Sequence, residues 1–228
     1  MKFPQLETSR LVLRELTIDD AGFYFRHFNI GEIVKGCCFP GPKSLDAAQK
    51  ELELYCLNPF KENKGIRWGI VIKGIDKLIG TCGYTHWDKN AHRGEIGYDL
   101  NPAYWRKGIM TEALGAVLRY GFENMDLNRI QALIDSENVR SQKLVKRLGF
   151  KKEGVLRQNS VFEGQYRDDV LYSLLKEEWR LKQVLTEEES LRKRKKLSDI
   201  AGSQTLTKED WEKVTKAFST QKNCKEKN

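Results

Sequence analysis

The stretch that most constrains this chain runs from Arg93 to Ile134. Arg93 to Leu100 (RGEIGYDL) alternates with the period of a strand, Ile96, Tyr98 and Leu100 on one face and Glu95, Gly97 and Asp99 on the other. Asn101 to Leu114 (NPAYWRKGIMTEAL) then reads as a strand end, a tight basic turn and a helix start near Met110 to Thr111. Thr111 to Asn124 carries Leu114, Val117, Leu118, Gly121 and Phe122 on one side, as an amphipathic helix requires. Asp126-Leu127-Asn128 breaks that helix, and Arg129 to Ile134 (RIQALI) is a second strand. A strand, helix and strand of this length form a right-handed crossover, which makes the two strands parallel.

The turn itself has the layout of an anion cradle. N–H groups in the first turn of a helix lack intrahelical partners and lie at the positive end of the macrodipole, so they can hold a phosphate without a side chain. Arg106 and Lys107 add charge, and Gly108 lets the backbone come close. On this stretch alone an ordinary loop before a helix is an equal alternative.

The rest of the chain supplies a mixed sheet with helices on both faces. Arg10 to Glu15 has strand composition, and Thr17-Ile-Asp-Asp20 opens a helix through Ala21, Phe23, Tyr24 and Phe28. Asn29 to Pro42 reads as an irregular segment suited either to lining a cleft or to connecting helices, and Ser44 caps a helix through Leu45, Ala48, Leu52 and Tyr55. Trp68 to Ile72 and Leu78 to Tyr84 pair as an antiparallel hairpin, followed by a loop at Asp88 to His92. A helix from near Asn138 stops at Gly149, and Val161 to Phe162 with Arg167 to Leu175 close the domain as a hairpin.

With 39% hydrophobic residues among 228, the chain can bury a sizeable core, and no run approaches the roughly 18 apolar residues of a membrane span. Met1 to Arg10 shows no signal peptide, so the expected compartment is the cytoplasm. Cys37, Cys38, Cys56, Cys82 and Cys224 have no CxxC spacing and are expected as reduced thiols, not as a zinc site or disulfide framework. The net charge of +8 suits an acidic partner but argues solubility as readily.

YWRKGIMTEAL after EIGYDL, followed by RIQALIDSENVRSQKLVKRLGF, resembles the GNAT superfamily of acetyl-CoA-dependent N-acetyltransferases over about Leu6 to Leu175. Within it the chain is most similar to the branch of ribosomal-protein N-terminal (alanine/serine) acetyltransferases, which carries a like YW-x-K-G turn and N-x-x-S-x-x-L-x-x-x-L-G-F segment. The chain departs from the general family turn in Trp105 at its first position, usual for this branch, and in Met110 at its last, bulkier than the norm. The resemblance implies a mixed, mostly antiparallel sheet with a splayed parallel pair at the cofactor site. It also implies acetyl-CoA as co-substrate, no metal, and a primary amine as acceptor.

The resemblance further implies that the pyrophosphate lies across Arg106, Lys107, Gly108, Ile109, Met110 and Thr111, and that the pantetheine runs along the strand end at Asp99 and Leu100. A backbone N–H of that strand would bind the thioester oxygen. An α-amino group near pKa 8 costs about 1 kcal/mol to deprotonate at pH 7, against roughly 4–5 kcal/mol for lysine, so a modest base suffices for the former. Glu95, acting directly or through water, is the candidate base, and Asp99 is less favoured. Ser141 is the candidate proton donor to the leaving thiolate, and the Asn138 amide a pantetheine ligand. Read by themselves, Glu95 is an exposed strand residue, Asn138 an N-cap and Ser141 a small first-turn residue. Tyr98 and Tyr104 are expected to pack. His27, His86 and His92 fit no metal or triad spacing, which leaves His86 and His92 at most at a cleft rim.

The expected domain covers residues 1–182, with a basic helical extension at 183–228. Thr186-Glu-Glu-Glu189 and Thr207-Lys-Glu-Asp210 would start two short helices separated by Gly202-Ser203. The run Arg192 to Lys196 reads as a solvated face or as a contact for RNA or a ribosome. Trp211, Val214 and Phe218 form an apolar stripe for the domain or a second subunit, leaving a homo-oligomer open. The function expected is acetyl transfer to a protein N-terminus such as that of a ribosomal protein. The alternatives are a small amine (a polyamine or aminoglycoside) as acceptor, or a CoA-binding module without turnover whose tail holds RNA.

Overall fold

The computed structural model describes residues 2–200, and within them all side chains except those of 186, 187, 190 and 193–200. Short β1 (Leu6–Glu7) and β2 (Leu11–Glu15) lead into α1 (Ala21–His27), α2 (Gly31–Cys37) and α3 (Leu45–Leu52), the last continued by a π turn at Glu53–Leu57 and by α4 (Asn58–Lys61). Strands β3 (Ile66–Ile72), β4 (Leu78–Asp88) and β5 (Arg93–Leu100) follow, then α5 (Ile109–Glu123), β6 (Arg129–Asp135), α6 (Val139–Leu148), β7 (Lys151–Phe162), β8 (Gln165–Leu175) and α7 (Lys176–Ile200). The strands form one sheet in the order β1-β2-β3-β4-β5-β6-β8-β7, in which only β5 and β6 are parallel. The fold is therefore the expected mixed, mostly antiparallel α/β sheet flanked by helices.

Strand alternation sends successive side chains to opposite cores. Ile70 and Ile79 join α5, while their neighbours Val71 and Leu78 join α1 and α3. In α5, Ala113, Leu114, Val117, Leu118 and Phe122 are almost wholly buried, each large side chain contributing roughly 1.5–3 kcal/mol. Gly121 lets α5 lie close to the sheet: a Cβ there would sit 2.1 Å from Tyr84 Oη, which donates to Val117 O at 2.9 Å.

Three expectations need correction. Residues 29–42 contain a helix, α2, which two glycines and the lack of a side-chain cap conceal; Ile33 docks it in the α1–α3 core. β7 begins at Lys151, ten residues before Val161, because this exposed edge strand is specified by pairing with β8 and not by apolar alternation. Thr186 does not start a helix, since α7 is already continuous from Lys176. Contacts divide the chain into one unit ending at Trp179 and a second beginning at Arg180. In the first unit, Trp179 packs on Phe122 with ring centroids 5.3 Å apart. In the second, exposed Arg192 approaches Glu188 at 3.8 Å. Thr207 to Asp210, Gly202-Ser203, the stripe of Trp211, Val214 and Phe218, and Cys224 lie outside the described residues. Cys37, Cys38, Cys56 and Cys82 are free, with Cys82 buried in β4. No helix among the described residues is long and apolar enough to cross a membrane.

Candidate active site

β5 and β6 stay paired only from Arg93↔Arg129 to Glu95↔Gln131. Beyond Glu95 they part, leaving the edge of β5 from Ile96 to Leu100 without a strand partner on that side. A cleft of about 1950 Å³ opens there, lined among others by Gly97, Tyr98, Asp99, Leu100, Asn138 and Ser141.

At one end of the cleft the basic turn delivers α5. Arg106 and Gly108 take left-handed backbone conformations, φ 60° and 71°, the second at the N-cap of α5. The first i to i−4 bond runs from Glu112 N–H to Gly108 O at 3.1 Å, so the N–H groups of Ile109, Met110 and Thr111 precede it. Ile109 and Met110 belong to the buried core around α5 and also line the cleft at its edge. Arg106 lines the cleft, whereas Lys107 does not, because its ammonium is turned back to Ala103 O at 2.9 Å. Glu112 anchors the turn from behind: Oε1 accepts from Thr8 Oγ1 at 2.6 Å, Ser9 Oγ at 2.9 Å and Arg10 N–H at 2.9 Å, and Oε2 accepts from Arg10 Nε at 2.6 Å. Arg10 also donates to Lys107 O at 3.0 Å. Burial would raise the Glu112 carboxyl, but these donors outweigh it and hold the group down at about 2. The Trp105 indole takes Leu100 O at 2.7 Å, and Arg140 stacks 3.5 Å over its ring.

Glu95 sits where the two strands part. Its Oε2 accepts from Gln131 Nε2 at 3.1 Å, and its Oε1 lies 3.6 Å from Nδ1 of exposed His86, which lines the cleft. Ser141 Oγ lies 2.5 Å from the hydroxyl of Tyr98, which burial pushes up to about 12. Tyr98 is thus joined to the candidate donor, a link that strand periodicity alone could not show. Asn138 caps α6, its Oδ1 accepting from Ser141 N–H at 3.1 Å, while its Nδ2 donates to Gly36 O in α2 at 2.8 Å. The amide expected on pantetheine therefore already joins α6 to α2, with one hydrogen and one lone pair left over.

The Asp99 side chain is not at the cofactor edge. Its Oδ1 meets His27 Nε2 at 2.6 Å and its Oδ2 accepts from Arg67 Nη2 at 2.6 Å and from the Thr81 hydroxyl, so only the backbone of Asp99 remains for the cofactor. Thr81 N–H also donates to Oδ1 at 3.0 Å. Full burial opposes the Asp99 charge, yet His27, Arg67 and Thr81 together hold the carboxyl down at about 2; burial likewise opposes the Arg67 charge, and Asp99 pushes that group up. His27, expected to be unremarkable, is 1% exposed and stacked on Phe23. Its partner lies 72 residues away, beyond the reach of any spacing rule. His92 instead bonds Asp126 O at 2.9 Å.

The free edge of β5 thus lies in one cleft with the basic turn that opens α5. A family profile described as "Acetyltransferase (GNAT) domain" matches residues 10–151. The chain belongs to the GNAT acetyltransferase family. It is 37% identical to a Bacillus subtilis (strain 168) protein named "Uncharacterized N-acetyltransferase YoaA", over 76% of this chain and 98% of that one. It is 31% identical to the Escherichia coli (strain K12) "[Ribosomal protein uS5]-alanine N-acetyltransferase", over 57% of this chain and 68% of the relative. Among solved structures, a probable GNAT-family acetyltransferase from Chromobacterium violaceum ATCC 12472 superposes with a TM-score of 0.70 at 26% identity, covering 79% of this chain and 91% of that one. The chain is an acetyl-CoA-dependent N-acetyltransferase. The free N–H groups opening α5 and the unpaired edge of β5 fit the co-substrate, and among the described residues no metal-binding cluster of His, Cys, Asp and Glu occurs.

Proposed function

We propose that this GNAT enzyme acetylates the α-amino group at a protein N-terminus, such as that of a ribosomal protein. The observation that carries this reading is the size of the cleft. At about 1950 Å³ it runs from the turn before α5 past the edge of β5 to Arg67, Thr85 and His86, and is open enough there to admit a chain end beside the cofactor. The E. coli relative named for alanine N-acetylation of ribosomal protein uS5 supports the same acceptor class. The enzyme would act in the cytoplasm, where ribosomal proteins and acetyl-CoA meet.

In this reading the N–H groups of Ile109, Met110 and Thr111, with Gly108 and Arg106, hold the pyrophosphate. The free edge of β5 through Asp99 and Leu100 orients the pantetheine by main-chain bonds, and Asn138 holds α2 against α6. Acetyl-CoA supplies the activated acyl group. Glu95 removes a proton from the acceptor ammonium, directly or through a water, and Ser141, backed by the Tyr98 hydroxyl, returns a proton on the thiol side.

The test is thiol release with a panel of N-terminal peptides and small amines, carried out on wild type and Glu95→Gln at pH 7 and pH 9. The variant should lose more turnover at pH 7, where most of an α-amino group near pKa 8 is protonated, than at pH 9. An equal loss at both pH values would remove Glu95 as the base. Efficient turnover of polyamines alone would remove the protein N-terminus as acceptor.

A further inference from the structure

Arg67 is held on the side of β5 that carries Glu95, and neither the cofactor cradle nor the proposed proton transfers use it. The β5 face bearing Glu95, Gly97 and Asp99 is interrupted at its middle by a glycine. A Cβ at Gly97 would come 3.1 Å from Arg67 Nη1 and 3.1 Å from Thr85 Cγ2, so the missing side chain leaves the space that the guanidinium occupies. Arg67 is clamped from two sides, its Nε donating to Thr81 Oγ1 at 2.7 Å and its Nη2 to Asp99 Oδ2 at 2.6 Å. Asp99 is fixed in turn by buried His27 at 2.6 Å. The side chain retains 14% of its exposure and lines the cleft, and Nη1 makes no hydrogen bond among the described residues. A guanidinium with two edges tied, in a side chain that lines a cleft, keeps N–H groups on Nη1 as a pre-set donor.

Resting on the transferase reading above, we infer that Arg67 selects the acceptor by donating to the oxygen of the carbonyl attached to the α-carbon that bears the reacting amine. The class selected is α-aminoacyl compounds, of which a peptide N-terminus is one. Positions 95 and 97 are alternate residues of β5, on one face and about 7 Å apart along the backbone, which is the scale of an amine and its neighbouring carbonyl with their hydrogen bonds. Asp99 is committed to His27, Arg67 and Thr81, so this cluster offers the cleft donors and no free carboxylate. A polyamine has no carbonyl oxygen to accept from Arg67. Buried groups left unpaired by an analogue lacking the matching atom are a strong source of discrimination.

The experiment uses the full chain and two acceptors that differ in one group: a short alanine-led peptide, and its isostere with an alkene in place of the first peptide bond. Spermidine is a third. Values of kcat/KM independent of pH are compared so that amine basicity cancels. Wild type should prefer the peptide over the alkene isostere by about tenfold or more, chiefly through KM. Arg67→Lys, which keeps the charge but loses the fork, should narrow that preference to within about threefold. Equal use of peptide and isostere by wild type, a preference for spermidine, or an undiminished preference in Arg67→Lys would each overturn the inference. The wild-type comparison stands even if the variant does not fold. Turnover without discrimination sinks this inference alone, whereas no thiol release with any acceptor from protein that binds CoA sinks the transferase reading and this inference with it.

Discussion

Asp99 and Glu112 are two carboxylates held near 2 by different surroundings. Asp99 lies at 4% exposure beneath the proposed acceptor face, bound by α1, β3 and β4 through His27, Arg67 and Thr81. Glu112 stands in the first turn of α5, gathering Thr8, Ser9 and Arg10 from a single turn at the surface. When a partner of Glu112 leaves, water can replace it. When a partner of Asp99 leaves, a charge is stranded in the interior. The first arrangement therefore holds the turn proposed to bind the cofactor, and the second fixes the floor beneath the proposed acceptor side.

The largest effect expected from this contrast is on Asp99→Asn. Removing one member of a buried ion pair costs about 3–5 kcal/mol, because Arg67 would remain buried without its counter-charge. A fall in the denaturation midpoint of corresponding size is the readout, and a loss below about 1 kcal/mol would show that the cluster is solvated and that the contrast with Glu112 is false.

Acid should separate the two groups next. Both folded values lie below the ordinary values of 3.8 for Asp99 and 4.5 for Glu112. Each contribution is therefore fully present above the ordinary value and is lost as pH falls from about 4.5 towards about 2. For Asp99 the shift corresponds to about 2 kcal/mol. Melting curves across this window should show a steep loss in wild type and a shallower one in Asp99→Asn. Parallel curves would assign the acid sensitivity elsewhere.

Much of the contrast was invisible in the sequence, for a physical reason. EIGYDL, the basic turn, α5, and the Asn138 and Gly149 ends of α6 are local patterns, in which alternation, helical spacing and caps act within a few residues. The cofactor half was legible for that reason. The acceptor half is built from pairs far apart in the chain. His27 finds Asp99 across 72 residues and Arg67 finds it across 32. Period two correctly put Asp99 opposite Tyr98 and Leu100, but could not say that three partners fill that face. Tyr98 was expected to pack, and only the fold brings Ser141 to it, 43 residues on. Residues 29–42 were unreadable as a helix because Gly31 and Gly36 weaken the local signal that Ile33 answers only through burial.

Glu112→Gln probes the surface member of the pair with a smaller effect on folding. The amide keeps the size of the side chain but loses the charge, so the bonds from Thr8, Ser9 and Arg10 weaken without stranding a buried partner. A stability loss of about 1–3 kcal/mol is expected, since hydrogen bonds to a charged group are involved. The larger change should be in acetyl-CoA, because Arg10 bridges Glu112 and Lys107 O and so holds the turn that precedes α5. KM for acetyl-CoA should rise severalfold while kcat changes little. An unchanged KM would mean that the turn is set by Gly108 and Arg106 backbone geometry alone.

Ser9→Ala is the finest cut. It removes one donor, at 2.9 Å, from a carboxylate oxygen that also receives Thr8 at 2.6 Å and the Arg10 N–H at 2.9 Å. The residue is exposed, so water can take the vacant acceptor site and the expected loss is about 0.5 kcal/mol or less. KM for acetyl-CoA should stay within about twofold of wild type, since the bonds from Arg10 N–H and Nε to Glu112 are untouched. The value of so small a change lies in its difference from Thr81→Val, which with almost no change in volume removes the donor to Asp99 Oδ2 and the acceptor of Arg67 Nε together, so its loss is compared per hydrogen bond. There no water stands ready, and a cost of about 1–3 kcal/mol is expected for each group left short. Equal losses per hydrogen bond in the two variants would show that burial, which distinguishes the two carboxylates here, does not govern what each hydrogen bond contributes.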